Sequence, residues 1–156
     1  MIARRPVTQA FAVMLSDATG KPVGMGSVPI NPTTGKPFPP PYTLLYSIGG
    51  TTGGPELADL HEDAYLDYQL TFVSGPDPAK TDSRGTVEQV EWLADKGRTA
   101  ILARPPAGCG YLHELTVPGA TCYRREITTE PGATNEPEDA IITYVIRCRL
   151  HLTPSA

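Results

Sequence analysis

Cysteine, histidine and tryptophan are scarce in this sequence, with three, three and one in 156 residues. Cys109, Cys122 and Cys148 are odd in number and never stand at Cys-x-x-Cys spacing. That argues against a disulfide framework and a zinc site and for reduced thiols, with a Cys122–Cys148 contact between neighbouring strands left open. His61, His113 and His151 form no HxH, HxxxH or HExxH pair, so no metal site is indicated. A Gly-x-Ser-x-Gly elbow is also missing, and Ser and His show no triad arrangement. Gly49-Gly-Thr-Thr-Gly-Gly54 resembles a phosphate loop only superficially, because no Gly-Lys-Ser/Thr ending follows it. No catalytic residue and no cofactor are expected. No apolar run approaches the roughly 20 residues of a membrane span. The first twenty residues mimic a signal peptide, but Thr8, Gln9 and Asp17 fit an amphipathic helix better. Basic excess is lacking too: the formal charge is −4, which argues against gripping nucleic acid but suits a surface that DNA slides past.

Hydrophobic residues are plentiful, at 40%, and 156 residues suit one domain with a real core. The 17 prolines and 15 glycines concentrate in three stretches, so long loops are expected at 20–41, 49–63 and 129–139. The first contains a short extended piece near Val23–Val28. Val7, Ala10, Phe11, Met14 and Leu15 fall at helical spacing, which predicts a helix over 5–18 that stops at Gly20. Thr86 and Gln89 fit a capping box ahead of a second helix, with Val87, Val90, Leu93, Ala94, Gly97 and Ile101 on its apolar stripe. Alternation predicts strands at 42–48, 65–73, 119–128 and 140–152, the last of them inside the sheet. Residues 111–117 fit neither pattern cleanly. The resulting expectation is an α+β two-layer sandwich: a mostly antiparallel four-stranded sheet with two helices packed on one face.

Two segments carry a resemblance. Pro41-Tyr-Thr-Leu-Leu-Tyr-Ser-Ile48, followed by a Gly-rich acidic loop, is similar to tail terminators of long-tailed bacteriophages that infect actinobacteria. So is the Gln89-x-x-Trp92-Leu-Ala-Asp95 helix, and the closing Arg149-Leu-His-Leu-Thr-Pro154 fits too. The resemblance implies a tail-tube-like fold and a structural, non-enzymatic virion protein. It would be made in the host cytoplasm and assembled into a hexameric C6 ring at the tail–neck junction. Its partners would be other copies of itself, the tail tube protein and the head–tail connector, with DNA passing through the lumen without specific binding. Interface or lumen positions are then expected among Glu56, Asp59, Glu62 and Asp63, at Arg124 and Arg125, and among Glu136, Glu138 and Asp139. Alternatives in the same class are a neck or head-completion protein and a tail-tube subunit. Others are a host-protein binding module using the Pro-rich 37–41 run, and a small enzyme using Cys109 or His113.

Overall fold

Apolar stripes at helical spacing become helices in the computed structural model, which describes residues 1–54, 62–134 and 140–155. Helix α1 spans Arg4–Thr19 and buries Val7, Phe11, Met14 and Leu15. It ends where Gly20 takes a left-handed φ of 68° and returns its N–H to the Ser16 carbonyl, a conformation that favours glycine. Helix α2 spans Val87–Leu102, and Thr86 caps it by accepting the Gln89 N–H at 3.1 Å. The reciprocal half of the expected capping box does not form. Gln89 Oε1 instead accepts from the Ser74 hydroxyl at 2.6 Å, and that hydroxyl takes the Thr86 N–H at 3.0 Å. A buried strand residue thereby joins helix start to sheet.

The strands are β1 (Val23–Met25), β2 (Tyr42–Thr52), β3 (Ala64–Ser74), β4 (Ala120–Thr134) and β5 (Ile142–Pro154). Among the described residues they form one sheet in the order β1-β2-β3-β5-β4. This corrects the four-stranded expectation: β1 lies parallel to β2, and the other three pairings are antiparallel. A three-residue strand beside prolines is too short for alternation to reveal. The long last strand does lie inside the sheet, between β3 and β4.

One face of the sheet carries the core. Leu66, Tyr68, Leu70 and Phe72 of β3 and Ile146, Cys148, Leu150 and Leu152 of β5 are fully buried against both helices. Their registers, Leu70 opposite Ile146 and Leu66 opposite Leu150, align the apolar alternation of the two strands. On β2 the buried side is the smaller one: Thr43 and Leu45 face the helices, opposite Phe72 and Leu70. Tyr42, Leu44 and Tyr46 lie on the other face, half-buried.

Two expected loops are shorter than the sequence suggests. Strand β2 continues through Gly49–Thr52 to pair with Ala64–Asp67, after a register shift between Ser47 and Gly49. At Gly50 φ is 140°, and a Cβ would stand 2.3 Å from the Tyr65 carbonyl oxygen, so glycine lets the two backbones meet. Strand β4 likewise runs on to Thr134, with three register shifts along its pairing with β5. Among the described residues, no helix is long and apolar enough to cross a membrane.

Candidate functional site

Strand alternation puts polar side chains of β3, β5 and β4 on the face that the helices leave open. The Asp67 carboxylate accepts two hydrogen bonds from Arg149, from Nε at 2.7 Å and from Nη2 at 3.0 Å. Arg149 stands opposite both Asp67 on β3 and Glu126 on β4. Glu126 in turn meets His151 Nε2 at 3.0 Å and Arg124 Nη2 at 2.9 Å. The His151 ring sits edge-on between Tyr65, at 4.9 Å, and Tyr123, at 5.9 Å. Two residues further along β5, on the same face, Arg147 Nε donates to Gln69 at 3.1 Å. Opposite charges thus interlock across three strands, with two tyrosines flanking them.

These contacts shift the acids. The hydrogen bond from His151, then the charges of Arg124, His151 and Arg149, hold Glu126 below the usual carboxylate range. Burial, then Tyr65 and Asp63, pushes Tyr123 up to about 12, which places Asp63 at the margin of the same cluster. A second acid, Glu130, is held low by Arg98 of α2 and then by the Tyr144 hydroxyl, which donates to it at 2.7 Å. A carboxylate with a depressed folded-state pKa contributes stability above its unfolded value of about 4.3, and loses it as pH falls through the folded value. The stability gap between the wild-type chain and Glu126→Gln is therefore expected to be present above about pH 5 and to close between about pH 5 and pH 3. Urea unfolding at a series of pH values measures it; a gap that stays open below about pH 3 contradicts the assigned contacts.

The expected site residues separate. Arg124 belongs to the open-face cluster. Glu62 is turned inward, with its side chain only 12% exposed and 3.5 Å from the N-terminal ammonium of Met1. Arg125 corrects the expectation of a surface pair. Neighbouring strand residues point to opposite faces, so Arg125 enters the helix side and is 5% exposed. Glu56, Asp59, Glu136, Glu138 and Asp139 lie outside the described residues. Sequence reasoning did not select Asp67, Glu126, Tyr65 or Tyr123. Their signal was the polar phase of each strand, but only the register between strands turns it into a cluster.

Among the described residues, no group of three or more His, Cys, Asp or Glu is arranged to hold a metal ion. Cys109 is exposed and Cys122 half-buried, and burial pushes the fully enclosed Cys148 thiol well up. The three cysteines are free, and the register sets Cys122 opposite Leu152 and Cys148 opposite Ile127, so the two are not cross-strand partners. No known family model matches the sequence, and no curated protein matches it.

Proposed function

We propose that the chain is a structural subunit that closes into a ring, in the manner of the phage tail terminators it resembles. The observation that carries this reading is the difference between the two edges of the sheet. Met25 (52% exposed), Val28 and Ile30 stand out beside β1. At the opposite edge, Tyr123 (48% exposed) stands out on β4, with Leu112 in the segment beside it. Two unlike apolar patches on opposite edges suit a heterologous contact, in which one surface of a copy meets a different surface of the next. The outer side of β4, 15 residues long and with no strand beside it among the described residues, is engaged at Arg125 by the Tyr111 hydroxyl and offers its other backbone groups for the same contact. The acidic net charge suits a lumen through which DNA passes without adhering. In this reading the ring caps the tail tube in the virion and faces the head connector.

Native mass measurement of the purified chain, alone and with tail tubes of the same phage, tests the proposal. A closed assembly of six is expected on the tubes. A chain that stays monomeric in both samples overturns the proposal, and open-ended fibres favour the tube subunit instead. Met25→Lys and Tyr123→Lys are each expected to abolish the ring by spoiling one edge. Mixing the two variants should restore dimers but not rings, because each retains the edge that the other lacks.

A further inference from the structure

Arg125 is a buried cation without a carboxylate partner among the described residues. Nη1 carries its contacts: it donates to the His113 carbonyl at 2.8 Å and the Ala100 carbonyl at 3.4 Å, and lies 3.3 Å from the Met14 sulfur. Nε is buried and finds no acceptor. The guanidinium also lies over the Tyr111 ring at 4.2 Å, and Arg104 approaches that ring at 5.2 Å. Neither arginine pairs with an acid among the described residues, so positive charge accumulates around one aromatic ring. A buried charge is costly unless it is paired, and so such a position attracts an anion.

Arg125 forms part of the wall of an open cavity of about 480 Å³ between β4 and the 109–117 segment. That volume lies within the range of small-ligand sites. Leu115, Val117 and Ala120 supply apolar wall, and Thr116 also lines the cavity. The Tyr111 hydroxyl is held by the Arg125 N–H at 2.7 Å, which fixes the ring beside the guanidinium. Glu114 also lines the cavity. Its charge works against a dianion such as phosphate and leaves room for a single negative charge.

We propose that this cavity is a binding site for a carboxylate attached to a short apolar group, with the Arg125 guanidinium as its counter-charge. Two sources offer that chemistry: a free aliphatic acid, and the carboxyl end of a peptide chain with an apolar last residue. The site shares Leu112 with the patch at the β4 edge, but carboxylate binding is read on the chain alone, so either proposal can fail without the other.

Calorimetric titration and ligand-observed NMR on the full chain test it with sodium hexanoate, hexanol, inorganic phosphate and a tripeptide ending in leucine, both free and amidated. Hexanoate or the free-acid peptide is expected to bind saturably, at least tenfold tighter than hexanol, phosphate or the amidated peptide. The tighter of the two identifies the source. Arg125 is packed into the core and its replacement tests folding as well as binding, so the decisive variants sit at the mouth. Cys109→Asp, an acid at an exposed position of the lining, should weaken carboxylate binding severalfold at an unchanged Tm, and Glu114→Gln should tighten it severalfold. Absence of saturable binding by either carboxylate overturns the site. So does binding that Cys109→Asp and Glu114→Gln both leave unchanged, or that hexanol matches.

Discussion

Phe11→Ala is expected to cost about 3–5 kcal/mol, the range for deleting a buried aromatic ring. Phe11 is fully buried on α1, and its ring meets Tyr68 of β3 edge-on, with centroids 5.2 Å apart and planes at 68°. Truncation removes that contact and opens a cavity where helix meets sheet, lined by fully buried side chains that cannot collapse without moving the strands. A natural domain has about 5–15 kcal/mol to lose, so this one change should consume a large share of it. Urea unfolding should show a lower midpoint at unchanged slope. Tyr68→Phe provides the internal scale. It keeps the ring and removes only the hydroxyl contact with Thr8 at 2.9 Å, for about 0.5–1.5 kcal/mol. Should Phe11→Ala prove the milder of the two, the helix–sheet packing described above is wrong.

Gly97→Ala is expected to destabilise the fold although alanine favours helices over glycine by about 1 kcal/mol. Gly97 sits on the buried side of α2, and a Cβ there would stand 2.4 Å from Cζ and 2.7 Å from Cε1 of Phe72. Phe72 is itself fully buried on β3, so the ring has no open side to swing into. Overpacking of this kind costs about 1–3 kcal/mol, which outweighs the propensity gain. The mechanism predicts its own rescue. With Phe72→Leu in the background the obstructing ring is gone, and Gly97→Ala should become nearly neutral or stabilising. A double-mutant cycle reads that coupling directly; additive effects would mean that the two residues do not touch.

Both expectations start from positions visible in the sequence. Phe11 and Gly97 fall on their helical stripes, and Phe72 falls on the apolar phase of its strand, because period 3.6 and period 2 are local properties of the chain. For the same reason both helices, the Gly20 stop, the Thr86 cap and the two long central strands were legible without a structure. The Gly-rich 49–52 stretch was not, because a strand stretch made of Gly-Gly-Thr-Thr carries no apolar alternation and is recognised only by its partner, β3. Strand β1 was legible only as a short extended piece, since three residues between prolines cannot announce which strand they join.

The candidate sites divide along the same line. Composition and local pattern determined the amphipathic elements, their capping signals and the net acidity of the chain, since each depends on residues a few positions apart. Only the tertiary structure decided that Asp67, Glu126, Arg149 and His151 form one cluster, because strand register sets which polar phases coincide. It also decided the fate of the Arg124-Arg125 pair. Alternation says that the two residues part company, but which of them faces the helices depends on a register shift between Cys122 and Arg124. Arg124 joined the open face and Arg125 went into the cavity, because the bulge in β4 sets the phase of every side chain that follows it.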